Sequence, residues 1–216
     1  MAQPARPRAQ DKPRAAKGPA IKIVPANEAS WEDIEAVLGG RGYHGGCWCQ
    51  RFKRLSRAWY FKAASPAQRA RQLREQTRCG QPKAAKTSGL VAYMDGEPAG
   101  WCNVEPRCAY VRLGQAPWKG RDEDPRDERV WAVACFVEKL GFRHRRVSYA
   151  LARAAADFAR QRGARALEGY AMITEPGKDI TWGELHVGAR GAFAAAGFKE
   201  VSRPSKRRAV MRIDFR

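Results

Sequence analysis

The stretch Val133 to Leu151, VACFVEKLGFRHRRVSYAL, holds the residues whose types and spacing point most directly to chemistry. An apolar run ends, Arg143, His144, Arg145 and Arg146 follow in succession, and a helical apolar pattern starts at Val147. The first turn of a helix presents unpaired backbone N–H groups and the positive end of the helix dipole. Guanidinium groups beside it complete an anion pocket, and phosphate is the anion such pockets hold. The competing reading is a set of solvated surface charges. Position favours the pocket, because the turn follows the carboxyl end of a central strand, where open α/β sheets bind ligands.

The elements that must position this turn are legible on both sides of it. Val130 to Val137 is almost continuously apolar, as suits a strand covered on both faces. Val147, Leu151, Ala154 and Phe158 recur at helical spacing, Arg162-Gly163 closes that helix, and Ala166 to Ile173 reads as the next strand. Together they predict one βαβ crossover with a basic turn at its centre. Upstream, Ile21 to Val24 reads as a strand, and Ser30 caps a helix that carries Trp31, Ile34, Val37 and Leu38 and stops at Gly39-Gly40. Ser65-Pro66-Ala67-Gln68 supplies an N-cap, a proline at the first helical position and a capping-box partner for a second helix running to about Cys79. Leu90 to Met94, Asp95-Gly96 and a run through Trp101, Cys102 and Val104 predict a β-hairpin. Residues 109 to 128 read as a loop, residues 188 to 196 as a short helix, and residues 198 to 201 and 210 to 215 as terminal strands.

The chain has 216 residues with 41 Lys and Arg against 22 Asp and Glu, a formal charge of +19. Its length excludes two large catalytic domains. The excess charge calls for a polyanion, whether nucleic acid, an anionic membrane surface or a phosphorylated small molecule. A hydrophobic fraction of 44% with seven Trp and eight Phe excludes a wholly disordered chain. Residues 1–19 carry five basic residues, one acid and four prolines with almost nothing large and apolar, so a disordered basic tail is expected there and a single domain over 20–216. The prolines argue against the amphipathic helix of a transit peptide. With no secretory signal and no apolar run near the ~18 residues of a membrane span, a cytoplasmic protein is expected. The six cysteines read as reduced thiols. Cys47-x-Cys49 with His44 nearby lacks the second pair of a structural zinc site, so no metal is expected.

The strand Cys135-Phe136-Val137, the turn Arg143-His144-Arg145-Arg146-Val147-Ser148, the segment Glu168-Gly169-Tyr170 and the late Phe193-Ala194-Ala195-Ala196-Gly197-Phe198 resemble the GNAT superfamily of N-acetyltransferases. The order of elements from Ile21 to Phe215 is similar too, so the resemblance covers nearly all the chain except the tail. It implies an α/β fold with a central mixed, mostly antiparallel sheet flanked by helices. It also implies acetyl-CoA as co-substrate, bound by Cys135, Phe136 and Val137 on the strand and by Arg143, His144, Arg145, Arg146, Val147 and Ser148 in the turn. The superfamily's turn has the pattern Arg/Gln-x-x-Gly-x-Gly/Ala. Arg143 matches its first position, Arg146 stands where the first glycine is usual, and Ser148 stands where a second small residue is usual.

The reaction implied is direct transfer of acetyl from a thioester to a primary amine, with the strand amides near Cys135 and Phe136 polarising the thioester carbonyl. Many members protonate the leaving thiolate with a tyrosine four residues before the glycine of Gly-Phe. Here that residue is Phe193, which has no proton to give. Tyr170, with Ser148 behind it, is the candidate catalytic group in its place, while Glu105, with His186 behind it, is the candidate to take the amine proton, and an ordinary structural role competes for each. Tyr43 to Gln50, rich in glycine and carrying Cys47 and Trp48, is the candidate acceptor-binding segment, with core packing of both as the competing reading. A second class of function is a basic nucleic-acid-binding protein on the same scaffold, favoured by the tail and by the Arg203 to Arg208 cluster. No nucleic-acid-binding signature accompanies that charge.

Overall fold

The computed structural model describes residues 20–39, 46–53, 64–113, 122–175 and 177–216. The expected basic tail, residues 1–19, lies outside them. Strand β1 (Ile21–Pro25) leads through a short 3-10 turn to α1 (Trp31–Leu38). The Ser30 hydroxyl accepts the Asp33 N–H at 3.0 Å, a cap that contributes about 1 kcal/mol. Helix α2 (Pro66–Thr77) starts in the full reciprocal capping box of Ser65 and Gln68. It stops short of the expected Cys79 because Arg78 turns left-handed at φ 54°.

Hairpin β2 (Leu90–Met94) and β3 (Glu97–Pro106) turns at Asp95 and Gly96, both at positive φ. Then come β4 (Val130–Glu138), α3 (Val147–Gln161) and β5 (Ala166–Met172), the expected crossover. A short helix α4 (Trp182–Leu185), which no apolar periodicity announces, precedes α5 (Arg190–Ala195). Helix α5 begins after the expected Gly188 because Gly188 has φ +91° and Ala189 is extended. Strands β6 (Lys199–Ser205) and β7 (Arg208–Asp214) are longer than the apolar residues alone indicate. The added residues of β6 are mostly exposed, and Pro204 is tolerated because β6 is an edge strand.

The seven strands form one sheet in the order β1-β2-β3-β4-β5-β7-β6. Every pairing is antiparallel except β4 with β5. One face carries α3 and α5 over a core that includes Phe136, Val147, Leu151 and Phe193. The other face carries α1 and α2 over Val91, Trp101, Cys135 and Val137. Residues of β4 are buried from Val130 through Val137, which accounts for the unbroken apolar run. Truncating the fully buried Leu151 to alanine would cost about 2–5 kcal/mol. Gly100 lets α3 approach closely, since a Cβ there would stand 2.6 Å from Val147 Cγ1. That contact sets the start of α3 against the sheet, beside the basic turn. Among the described residues, no helix is long and apolar enough to cross a membrane.

Candidate functional site

The parallel pairing of β4 with β5 covers only Val130 to Val133 against Ala166 to Gly169. Beyond it the two strands part. A register shift between Asn103 and Val104 opposite Val133 to Cys135 bends β4 at the same level. The segment that follows α4 enters the gap: Phe136 N–H donates to the His186 carbonyl at 2.6 Å, and Met172 N–H donates to the Gly188 carbonyl at 2.8 Å. Gly188 is required there, because a Cβ would lie 2.7 Å from the Phe136 ring.

The basic turn lies at the mouth of this gap. His144 and Arg146 adopt φ +62° and +64°, left-handed conformations that glycine adopts freely and other residues at a cost of about 1–2 kcal/mol each. Arg146, which stands where the resemblance expects a glycine, thus adopts a backbone conformation that glycine favours. Arg146 also serves as N-cap of α3 without a side-chain cap. The acceptor comes from the end of β4, where Glu138 Oε1 takes the Ser148 N–H at 2.8 Å. A carboxylate at a helix start is favourable for the dipole. It also occupies the kind of donor that an anionic ligand would use.

Phe136, Arg143, His144, Arg146 and Ser148 line a cavity of about 690 Å³, together with Glu138, Tyr149, Thr181, Leu185 and His186. That volume suits a ligand of cofactor size. The other residues expected here lie elsewhere. Arg145 turns away, with its guanidinium over the Phe142 ring and 3.9 Å from Met94 Sδ. Cys135 and Val137 face the opposite side of the sheet, in the core beneath α1 and α2, and Val147 is buried against β3. In this structure the Phe136 N–H, expected to meet a ligand carbonyl, is held by the His186 carbonyl.

The other candidates are placed as follows. Tyr170 donates its hydroxyl to Glu168 at 2.5 Å, away from the cavity lining. Glu168 is fully buried and also meets Arg107 at 2.9 Å and Arg212 at 2.8 Å. Glu105 forms an ion pair with Lys53 at 2.5 Å, its side chain only 15% exposed, rather than standing free on the surface. Trp48 is buried and stacked on Trp31 of α1 at 5.5 Å, and Cys47 is half-buried beside it. Tyr43, His44 and Gly45 lie outside the described residues. Phe193 is fully buried between Phe136 and Phe198, its ring filling the space that Gly169 leaves. Among the described residues, no group of three or more His, Cys, Asp or Glu side chains is arranged to hold a metal ion.

Glu138, Tyr149 and the segment 180–189 carry no sequence pattern that singles them out, apart from His186. One signal was present for Glu138: an arginine at the N-cap leaves α3 in need of an acceptor from elsewhere.

An N-acetyltransferase from Staphylococcus aureus Mu50 superposes with a TM-score of 0.51 over 90% of this chain and 98% of its own, at 13% identity. The chain has the GNAT fold. PaiA N-acetyltransferase from Thermoplasma acidophilum, in complex with coenzyme A, aligns over 91% and 99% at 13% identity with a TM-score of 0.47. A GCN5-related N-acetyltransferase from Kribbella flavida aligns over 91% and 98% at 17% identity, also with 0.47. No family model matches the sequence, and no curated protein does. The GNAT fold therefore shows in the backbone, with Arg143 to Ser148 in the turn between β4 and α3.

Proposed function

We propose that the protein is an acetyl-CoA-dependent N-acetyltransferase that moves acetyl directly to a primary amine. The observation that carries the reading is the 690 Å³ cavity at the open ends of β4 and β5, walled by Arg143, His144, Arg146 and the start of α3. Its donors fit a polyphosphate thioester. The Arg143 and Arg146 guanidinium groups pair with phosphate oxygens, and the Ser148 amide adds a backbone donor at the positive end of the helix. Phe136 N–H polarises the thioester carbonyl once the His186 carbonyl withdraws.

The amine nitrogen then attacks the acetyl carbon, the carbon–sulfur bond breaks, and the CoA thiolate leaves. The attacking amine must give up a proton and the thiolate must gain one. Glu105, near the β4 bend with Lys53 as its counter-ion, is proposed to take the amine proton. Tyr170 is proposed to return a proton to the CoA thiolate. Cys47 and Trp48 are proposed to shape the acceptor side. Such an enzyme would form one catalytic domain over residues 20–216 and work in the cytoplasm, where its thiols stay reduced.

The test has two parts. Acetyl-CoA should raise the melting temperature by mass action, and a thiol-release screen across an amine library should find an acceptor. A melting temperature that ignores acetyl-CoA at millimolar concentration would overturn the proposal.

A further inference from the structure

The gap between the parted strands β4 and β5 is filled from one stretch of chain. The His186 carbonyl accepts the Phe136 N–H of β4 at 2.6 Å, and the Gly188 carbonyl accepts the Met172 N–H of β5 at 2.8 Å. Ala189 makes a parallel bridge to Met172. Residues 186–189 therefore lie between the two strands as a short inserted strand, just beyond the last direct pair, Val133 with Gly169. This insert is also a wall of the cavity, which Phe136, Leu185, His186, Gly188 and Ala189 line together.

The insert is held firmly at its inner end and loosely at its outer end. His186, Val187 and Gly188 are buried, the His186 ring stacks on Phe52 at 5.9 Å, and residues 177–179 and 181 are exposed. The outer part is tethered through Glu184 of α4. Its carboxylate pairs with Arg207 at 2.8 Å, the two side chains being 33% and 51% exposed, and its carbonyl accepts Arg208 Nη1 at 3.1 Å. An ion pair this exposed contributes little to holding the segment down. Gly177 at φ +75° and Gly188 at φ +91° bracket the segment, and glycine at both points leaves the backbone free to turn. Gly188 is also crowded where it docks, since a Cβ there would lie 2.7 Å from the Phe136 ring and 2.9 Å from that of Phe193.

We infer that residues 177–189 form an autoinhibitory strap, which closes the gap between β4 and β5 when docked and swings out when CoA is seated there. The inference rests on the acetyl-CoA reading. Release of the strap uncovers the Phe136 and Met172 N–H groups, one on each side of the gap, and both then turn to acceptors on the ligand. Two satisfied states are exchanged, so neither donor is left buried without a partner. The docked strap lowers the apparent affinity in proportion to the fraction of molecules in which it is open. Arg207 is the latch: it holds Glu184 from the β6–β7 turn and is not part of the cavity lining, so loosening it shifts the strap without touching the ligand.

The test is amide hydrogen exchange of the full-length protein, read by mass spectrometry with and without CoA, beside calorimetry that establishes saturation. Peptides within 177–189 should exchange at least about tenfold faster with CoA bound. Unchanged or slower exchange there, as for a fixed wall covered by its ligand, overturns the inference. In Arg207→Ala, stopped-flow mixing should find CoA association about threefold faster with dissociation unchanged, the size expected for one exposed ion pair. Association no faster than in the wild type overturns it too. If neither protein binds CoA in the calorimeter, the acetyl-CoA reading fails and the strap fails with it, whereas CoA binding without release of 177–189 removes the strap alone.

Discussion

The backbone N–H of Phe136 donates to the carbonyl of His186 at 2.6 Å, so this donor of β4, beyond its pairing with β5, is satisfied from within the chain. Ser148 N–H and the Glu138 carboxylate repeat the arrangement 2.8 Å apart at the start of α3. Both pairs border the same cavity. A ligand that offers a carbonyl and a phosphate therefore exchanges one acceptor for another. The net gain per hydrogen bond is the small difference between two satisfied states.

Glu138→Gln should tighten CoA binding by about fivefold, because the competing charge at the helix start contributes up to about 1 kcal/mol. Isothermal calorimetry measures this directly. An unchanged or weaker affinity would show that Glu138 does not compete with the phosphates.

Replacing both Arg143 and Arg146 by alanine should weaken acetyl-CoA binding by at least about tenfold, since each charge-assisted hydrogen bond contributes about 1.5–3 kcal/mol before competition with water. Equal calorimetric affinity in the double variant and the wild type would remove these residues from the phosphate site. Arg146→Gly separates charge from backbone. It loses the guanidinium but relieves the left-handed strain at φ +64°, so urea denaturation should find it more stable than Arg146→Ala by about 1 kcal/mol.

The elements around this turn were legible because each signal was local. Ser30 and Ser65 announce helix starts, Asp95-Gly96 announces a hairpin, and the apolar run of β4 announces a strand buried on both sides. The internal ligands were not legible, because His186 lies 50 residues along the chain from Phe136 and meets it through a carbonyl that every residue type possesses. The Lys53–Glu105 pair is hidden for a similar reason: it joins a turn to β3 across 52 positions. Left-handed backbone at His144 and Arg146 was hidden as well, since neither residue type announces it as glycine would.

Glu168→Gln should be among the most damaging single changes to stability. Glu168 is fully buried between Arg107 and Arg212, with the Tyr170 hydroxyl on its second oxygen. Removing its charge leaves Glu123, with the exposed Asp214 on Arg212, to balance two buried guanidinium groups, and breaking a buried pair of this kind costs about 3–5 kcal/mol. Chemical denaturation measures the loss, and a cost below about 1 kcal/mol would mean that the network is not needed as an ion cluster.

Stability should fall as the solution is acidified. Arg203 and Arg190 pull the Glu200 carboxyl down to about 2, the Arg203 hydrogen bond contributing most. Burial works to raise Glu123, but Arg212 and Arg107 outweigh it and leave that carboxyl low as well. In the unfolded chain both titrate near ~4.3. A depressed folded value means that the unfolded chain binds more protons throughout the interval between the two values. The stabilisation is therefore fully present above about pH 5 and is lost as pH falls through the folded values. The arginines around Glu200 are half-exposed, so solvent screening holds its share to about 1 kcal/mol or less. Urea midpoints taken from about pH 6 down to about pH 3 should decline, with Glu200→Gln flattening part of the slope. A variant slope identical to the wild type would assign the acid sensitivity to the other carboxylates held low, Glu123, Asp127, Glu175 and Glu184.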